Sequence, residues 1–392
     1  FYKQKTAYEM LRSLVGSEMC IRDRLRDREE SFINLNPLQT GGRTTSDARK
    51  AIISYIDGYS ICDWCKGALH ITTEPDIAGF LGEVSDFLGM DYALPTNGCR
   101  EAKYGVMHAI STGGSILCDG NMHYSSEVSA ERAGLKIYKV PNKGEPEYKI
   151  NPEDYSEGFE LIKKETGKYP ELALLTHVDG EYGNVVDAKE VGKICNDYAV
   201  PFLLNTEYSS GRMEVDGKKI GADFIACSGH KSWAAGVGNI GILAIKEGWQ
   251  DKVFKPGANW KSKPLEILGC SSRGASLLAL MASFPHVKER VKKWDEEVKK
   301  ARYLVNELEK IDIKQIGEKP KNHDLIKLDT PVYDNIAKTH KKKGYFLYYE
   351  LKDRGIIGMK AGRTRKFKIS TYGLSWEQVS YVAESFLEIG GG

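Results

Sequence analysis

The chain has 392 residues, of which 41% are hydrophobic and 28% are charged, and its formal net charge at pH 7 is +2. This size leaves room for a large core and two domains, and the composition is that of an ordinary soluble globular protein. A charge so near neutral gives no support for a nucleic-acid partner, which would need a local basic patch. No apolar run has the length of a membrane span and no signal peptide is recognisable, so we expect a cytoplasmic protein without a membrane partner.

The first 24 residues do not fit the rest of the chain. They show no amphipathic period and resemble the translated sequencing-adapter peptide that is found fused to unrelated environmental sequences. We therefore leave residues 1–24, with Cys20, out of the prediction of fold and function, which leaves the natural N-terminus undetermined.

Residues 25–75 are expected to form an N-terminal arm that carries a C-x-x-C motif, Cys62 and Cys65. The segment 34–42 is polar and rich in Gly and Pro, which is too irregular for a helix or strand interior. Residues 45–56 are predicted to form a short helix after a capping Thr or Ser.

Residues 76–286 alternate between apolar runs and helical patterns, which predicts a mostly parallel sheet with helices on both faces. The predicted strands are residues 115–118, 137–140, 172–178, 202–205, 224–227 and 241–245. The predicted helices between and before them are residues 78–88, 100–110, 125–133, 154–165 and 188–198. Ligands of such sheets bind at the carboxyl ends of the strands, where Asn205 and Lys231 fall.

Residues 287–392 are expected to form a smaller α+β domain, linked to the large one by a single helical stretch over residues 277–308. Its predicted elements are strands at 324–328 and 366–370 and a helix at 345–353.

One turn carries the strongest chemical signal. The apolar run 224–227 ends in Ser228, Gly229, His230 and Lys231, and glycines at 236, 238 and 241 follow. Small residues around a lysine let a flat phosphorylated ligand approach the backbone, and the lysine can form an imine with an aldehyde cofactor. For an isolated His-Lys pair, an ordinary surface lysine after a buried strand would be an equally good interpretation.

Six further segments change that balance. This turn resembles the cofactor-lysine turn of fold-type I pyridoxal phosphate (PLP) enzymes, which resemble aspartate aminotransferase in fold. From about residue 32 to residue 389 the chain is similar to the O-phosphoseryl-tRNA:cysteinyl-tRNA synthase family of archaea. The segments that carry the resemblance are residues 34–42, 58–65, 96–103, 123–126, 268–274 and 370–375. The family implies a seven-stranded, mostly parallel sheet, a smaller C-terminal domain and an arm that packs near the active site.

The resemblance also implies roles for individual residues. Lys231 would bind PLP and act in catalysis, and His123 would lie against the cofactor ring. The remaining cofactor-binding residues implied are Cys99, Arg100, Asn205, Ser228, Gly229 and His230. A helix that begins near Cys99 would favour a phosphate through its N–H groups and dipole.

Two positions depart from the usual fold-type I pattern. Asn205 stands where an aspartate usually pairs with the pyridine nitrogen, and an amide cannot raise that nitrogen's pKa. A weaker electron sink suits β-elimination of phosphate better than transamination. Lys368 stands where an arginine usually holds the substrate carboxylate, with Arg363 and Arg365 nearby, and an aminoacyl-tRNA ester has no carboxylate to hold.

A third cysteine joins the C-x-x-C pair in the family, and Cys270 matches it here. Three thiolates would hold an iron–sulfur cluster with one open site, or carry a persulfide, and the residues do not choose between these. Alone, the C-x-x-C motif would equally suit half a zinc site, a redox pair or two buried thiols. The eight cysteines are irregularly spaced, which favours reduced thiols, and Cys118, Cys195 and Cys227 are interpreted as packing residues.

We therefore expect PLP-dependent conversion of phosphoseryl-tRNA(Cys) to cysteinyl-tRNA(Cys), with a sulfur donor, a homodimer and phosphoseryl-tRNA synthetase as partners. The alternatives are a cysteine desulfurase, a selenium transferase and a non-catalytic iron–sulfur or tRNA-binding scaffold. Candidate tRNA contacts, each equally consistent with ordinary solvated surface, are Lys252, Lys255, Lys261, Lys263, Lys341, Lys342 and Lys343.

Overall fold

A computed structural model describes residues 32–40, 42–55, 75–236, 238–259, 261, 264–268 and 274–391. Segment 1–24, Cys62, Cys65, Lys263 and Cys270 lie outside these residues. None of the helices in the described ranges is long and apolar enough to cross a membrane.

The described part of the N-terminal arm begins at residue 32 and packs on the C-terminal part of the chain. It contains strand β1 (Ile33–Asn34), helix α1 (Pro37–Thr40) and helix α2 (Ser46–Tyr55). Leu35 is fully buried in the core of the small domain, so the start of the arm belongs structurally to that domain.

The large domain is built on a seven-stranded sheet. Its strands are β2 (Tyr92–Thr96), β3 (Ser115–Asp119), β4 (Lys136–Val140), β5 (Leu172–Thr176), β6 (Phe202–Asn205), β7 (Phe224–Ser228) and β8 (Gly241–Ile245). Their order across the sheet is β2-β8-β7-β6-β5-β3-β4, and only β8 runs antiparallel to its neighbours. The predicted mostly parallel sheet is confirmed.

Strand β2 was not predicted, because Pro95 interrupts its apolar pattern. Proline is tolerated at the edge of a sheet, where one side of the strand needs no partner, and β2 is an edge strand here. With β2 the sheet has the seven strands that the family resemblance implied.

Helices cover both faces of this sheet. They are α3 (Ile77–Phe87), α4 (Cys99–Ile110), α5 (Tyr124–Arg132), α6 (Asp154–Thr166), α7 (Ala188–Asp197), α8 (Gly217–Ile220) and α9 (Gln250–Val253). Successive residues of β5 alternate between the two cores, since Ala173 and Leu175 face one and Leu172 and Leu174 face the other. A strand buried on both faces is apolar throughout, which explains the continuous apolar runs in the sequence.

The helical stretch predicted over residues 277–308 consists of two helices, so the prediction of one continuous stretch was wrong. Helix α10 (Gly274–Val291) ends before residues 292–293, and α11 (Trp294–Leu308) begins after them. Val287 lies in the large-domain core and Ala301 in the small-domain core, so the break carries the chain from one core to the other.

The small domain contains a three-stranded antiparallel sheet of order β12-β10-β9. Its elements in chain order are β9 (Lys314–Ile316), β10 (Leu325–Asp329), α12 (Pro331–Thr339), α13 (Phe346–Asp353), β11 (Ile356–Ile357), β12 (Lys366–Ser370) and α14 (Trp376–Gly390). Strand β11 pairs with β1 of the arm. Helix α14 was not predicted, although a capping box formed by Ser375 and Gln378 marks its start.

Candidate active site

The carboxyl ends of five large-domain strands open into one cavity of about 790 Å³. Its walls come from the arm (Asn36 to Leu38), from the large domain and from the small domain. The arrangement follows the rule for open α/β sheets, whose ligands bind beyond the carboxyl ends of the strands.

Lys231 lies in the turn after β7 and lines this cavity. Its Nζ is 2.5 Å from Oε1 of Glu207, and the two side chains are 25% and 15% exposed. Burial lowers the pKa of Lys231, but the charge and hydrogen bond of Glu207 raise it by more, so the pKa lies above its ordinary value. For Glu207 the two influences have the opposite signs. Burial raises the pKa of its carboxyl group, but the charge and hydrogen bond of Lys231 lower it, and this pKa lies below its ordinary value. The two groups form an ammonium–carboxylate pair.

The residues expected to hold a phosphate meet at the start of α4. Gly98 precedes this helix with φ +91°, a conformation that favours glycine, and no side chain caps the first N–H groups. Ser228 and His230 face this turn, since a Cβ on Gly98 would lie 3.6 Å from His230 Cε1 and 3.9 Å from Ser228 Oγ. Uncapped N–H groups at a helix start are a site for an anion.

Glycines 229 and 241 allow strands and turns to approach closely here. A Cβ on Gly229 would lie 2.8 Å from Ile240 Cγ2, and a Cβ on Gly241 would lie 2.6 Å from the carbonyl carbon of Gly98. Both distances are too short for a real side chain. Arg100, in the first turn of α4, is exposed and lines the cavity.

Asn205 ends β6 and is almost fully buried. Its Oδ1 accepts hydrogen bonds from the thiol of Cys99 at 3.3 Å and from the backbone N–H of Glu207 at 3.2 Å. Burial raises the pKa of Cys99 well above its ordinary value, so Cys99 is a neutral thiol and not a thiolate. The described cysteines Cys99, Cys118, Cys195 and Cys227 are free and buried, and burial was the expectation for Cys118, Cys195 and Cys227.

His123 lines the cavity and caps α5, where its Nδ1 accepts a hydrogen bond from the N–H of Ser125. Burial lowers its pKa, and the cations Lys103 and Lys231 lower it further, so the imidazole is neutral at pH 7. Lys103 is 1% exposed, and its Nζ donates to Oγ of Ser125 at 2.9 Å and of Ser126 at 2.8 Å. It adds a buried positive charge to the cavity wall.

Lys368 comes to the cavity from the small domain, but its ammonium is already bound. It donates to the carbonyl oxygen of Gly180 at 2.7 Å and to Glu181 Oε2 at 2.9 Å, and Lys327 also pairs with Glu181. Arg365 pairs with Asp329 at 2.5 Å and does not line the cavity. Arg363 does line it, and is exposed.

The structure brings together most of the predicted cofactor residues but not the predicted tRNA lysines. Of the candidates that the structure describes, Lys252, Lys255, Lys261 and the 341–343 cluster do not line the cavity. The three predicted sulfur ligands, Cys62, Cys65 and Cys270, lie outside the described residues. The residues that the sequence interpretation missed are Lys103, Glu181, Glu207, Tyr208, Lys327, Lys360 and Lys366. Glu207 and Tyr208 were open to prediction, because they directly follow the end of a strand whose carboxyl edge was expected to bind the ligand.

Comparison with known proteins gives the family of the chain. Residues 116–389 match the family model described as O-phosphoseryl-tRNA(Sec) selenium transferase, SepSecS. The O-phospho-L-seryl-tRNA:Cys-tRNA synthase of Methanocaldococcus jannaschii is 54% identical over 366 residues, which cover 93% of this chain and 97% of that protein. Synthase 2 of Archaeoglobus fulgidus is 49% identical over 371 residues, covering 92% and 94%.

Solved structures give the same result for the fold. The chain superposes on a SepCysS–SepCysE N-terminal domain complex with a TM-score of 0.86 and 53% identity, covering 92% of this chain and 95% of that one. A cysteine desulfurase from Thermococcus onnurineus NA1 has a TM-score of 0.71 at 20% identity, covering 91% and 95%, a likeness that shows the fold alone. The predicted fold-type I architecture is confirmed, and the chain belongs to the O-phospho-L-seryl-tRNA:Cys-tRNA synthase family.

Proposed function

We propose that this chain is a PLP-dependent transferase that converts O-phosphoseryl-tRNA(Cys) to cysteinyl-tRNA(Cys). Phosphate leaves the β-carbon of the seryl group and sulfur takes its place. The observation that carries the proposal is the 54% identity to a protein named for this reaction, 97% of whose length is covered. The cavity suits an anionic substrate, because among the described residues eight Lys and Arg line it against two Glu.

The residues of the cavity fit PLP as the cofactor. Lys231 offers an amine for the aldehyde, and the uncapped start of α4, with Ser228 and His230, offers donors for the phosphate. Thr176 Oγ1 is a buried hydroxyl on the cavity wall that has no hydrogen-bond partner among the described residues, so it is available to a polar ligand. When bound, PLP supplies an aldehyde that captures amines and a ring that withdraws electrons from the α-carbon.

Lys231 is the group that we propose removes the α-proton once its amine is free of the cofactor. A base must be neutral to accept a proton, and the operating pH must therefore allow the Lys231 ammonium to give its proton away. His123, neutral because of burial and two nearby cations, would lie against the cofactor without adding charge.

We further propose that the substrate phosphate and the tRNA backbone contact the cations at the cavity mouth. Lys360 and Arg363 are exposed, line the cavity and have no ion-pair partner among the described residues. Arg100 lies across the cavity at the start of α4. A positively charged rim attracts phosphates through long-range electrostatics even when the net charge of the chain is near zero.

Sulfur delivery is proposed for Cys62, Cys65 and Cys270, as a persulfide or on an iron–sulfur cluster. The thiols of the cavity wall are poor candidates, because burial keeps Cys99 protonated and a protonated thiol is neither a nucleophile nor a metal ligand. Groups of His, Cys, Asp and Glu that could bind a metal are absent from the described part of the chain, which does not include these three cysteines.

The partners that we propose are the phosphoseryl-tRNA(Cys) substrate, a sulfur donor, a second copy of the chain and phosphoseryl-tRNA synthetase. The solved complex of a 53% identical chain with a SepCysE N-terminal domain supports a protein partner of that type as well.

The experiment compares Lys231→Ala with Lys246→Ala in the presence of PLP and phosphoseryl-tRNA(Cys). Lys231→Ala should lose both the borohydride-reducible absorbance and the formation of cysteinyl-tRNA. Lys246, which is 58% exposed and pairs weakly with Asp223, should retain both after replacement. Full turnover by Lys231→Ala would refute the proposed function.

A further inference from the structure

Glu207 forms an ion pair with Lys231, the proposed cofactor lysine. Glu207 follows Asn205 at the end of β6, and Lys231 follows Ser228 at the end of β7, so neighbouring parallel strands hold the two side chains together. The Nζ–Oε1 distance is 2.5 Å, and Lys231 is the only ion-pair partner that Glu207 has in the described part of the chain.

The other titratable groups around this pair do not compensate Lys231. The Tyr208 ring lies 5.8 Å from Nζ, and its pKa is raised by burial. Cys99 is a neutral thiol, His123 is a neutral imidazole and Lys103 is a second cation.

Glu181 is the other carboxylate of the cavity, and Lys327 and Lys368 already bind it. Among the described groups, Glu207 is therefore the anion that faces the ammonium of Lys231.

We propose that Glu207 is a positioning residue, which orients Lys231 and stabilises its ammonium form when Lys231 is not bound to the cofactor. The carboxylate fixes the direction of the ammonium and stabilises its charge in a half-buried site, where an unpaired cation would be costly. The proposal rests on the proposed function only for the role it gives to Lys231.

This pairing has a chemical consequence. An amine joins an aldehyde as a neutral nucleophile and expels water, so the ammonium must first release one proton. The same neutral amine is needed to take the α-proton, after which Glu207 stabilises the ammonium that forms. Glu207 therefore sets the pH at which Lys231 changes between a charged, held form and a neutral, reactive form.

The sign of the effect is fixed by two opposed influences on Lys231. Burial lowers its pKa and Glu207 raises it. Glu207→Gln removes the largest influence that opposes burial, so Lys231 should become neutral at a lower pH. At a pH below the pKa, each unit by which the pKa of Lys231 falls raises the fraction of neutral amine about tenfold.

The test labels the full-length, cofactor-free chain with an amine-selective acylating reagent over a series of pH values. Mass spectrometry of the peptide that contains Lys231 gives the labelling rate. In Glu207→Gln, half-maximal labelling should occur at a lower pH than in the parent chain. On mixing with PLP at neutral pH, the visible imine band of this variant should also grow faster.

Glu181→Gln is the matched control, because it removes the other cavity carboxylate without touching Lys231. It should leave the Lys231 profile unchanged. Glu207→Asp keeps the charge and should retain most of the parent profile, which also decides the matter if the Gln variant does not fold. The proposal is overturned if Glu207→Gln labels like the parent, if Glu181→Gln shifts Lys231 equally, or if Glu207→Asp behaves as if uncharged.

This labelling needs neither substrate nor bound cofactor, so its failure would be distinct from a failure of the proposed function. Loss of the Glu207 effect with intact turnover would remove the positioning role alone. Loss of turnover in Lys231→Ala, with an unchanged Glu207→Gln profile, would keep the function and refute the pairing.

Discussion

A fully buried ion pair joins the two domains beside the active site, and breaking it should lower the free energy of unfolding. Nη1 of Arg212 donates to Oδ2 of Asp324 at 2.6 Å, and both side chains are 0% exposed. Arg212 also donates to Ser232 Oγ at 3.1 Å, next to Lys231, and to the carbonyl oxygen of Pro37 in the arm at 3.0 Å. The pair thus links the large domain, the small domain and the arm.

Asp324→Asn keeps the shape of the side chain and removes its charge. Leaving a buried charge without its partner costs about 3–5 kcal/mol, a large part of a stability of about 5–15 kcal/mol. The Asn oxygen still accepts a hydrogen bond, so we expect the lower end of that range. Urea unfolding monitored by circular dichroism measures this loss. The urea concentration at the midpoint should fall, while the m-value should stay similar.

Two controls separate burial from pairing. Arg365 and Asp329 form an Arg–Asp pair of 2.5 Å within the small domain, with Arg365 49% exposed, and Asp329→Asn should lower the stability far less than Asp324→Asn does. The double variant Arg212→Met with Asp324→Leu should recover much of the loss, because neither buried charge remains. If Asp324→Asn costs no more than Asp329→Asn, the reasoning from burial is wrong.

Two further predictions concern acid stability and sulfur delivery. Burial lowers the pKa of His323 to about 4, and a depressed folded-state pKa stabilises the fold above the unfolded value of roughly 6.5. That contribution, about 3 kcal/mol by linkage, is lost as the pH falls from 6.5 to 4, and His323→Gln should make the measured pH dependence of unfolding shallower. Cys62→Ala should stop cysteinyl-tRNA formation while phosphate release continues, whereas Cys195→Ala, in the core, should change neither and cost about 1 kcal/mol of stability. Equal loss of product in both cysteine variants would contradict the sulfur role.

The large-domain fold could be predicted because burial on both faces makes its strands continuous apolar runs. Residues 202–205 and 241–245 were predicted with the bounds that the structure has. The small domain was harder, because its short strands β9 and β11 contain three and two residues and carry no period. Leu35 shows a further limit, since nothing local in the arm predicts that it packs into a core formed some 270 residues later.

The position of Lys231 at the cavity could be predicted, because its turn follows a strand whose carboxyl end was expected to bind the ligand. The group of cations formed by Arg100, Lys360 and Lys366 at the cavity was not predicted. Lys360 and Lys366 are separated along the chain from Arg100 by more than 250 residues, and the three come together only when the domains pack. The lysines chosen from sequence clusters, such as Lys341 to Lys343, do not line the cavity, since local charge density does not indicate which surface faces the site.

The charges of the cavity wall suggest why Asn205 and Glu207 differ although they lie two residues apart. The amide of Asn205 accepts hydrogen bonds from Cys99 and from the backbone and brings no charge. If it lies beside the cofactor ring, it leaves the ring nitrogen a weaker site for a proton, which is sufficient when phosphate is the leaving group. Glu207 brings a full negative charge, but Lys231 neutralises it at 2.5 Å. In the proposed mechanism a carboxylate that acts on the lysine would control proton transfer at the α-carbon, whereas one beside the ring would favour protonation of the cofactor and transamination. The negative charge of Glu207 therefore lies beside the lysine, whereas Asn205 is uncharged. This arrangement agrees with elimination and sulfur addition as the proposed reaction of the site.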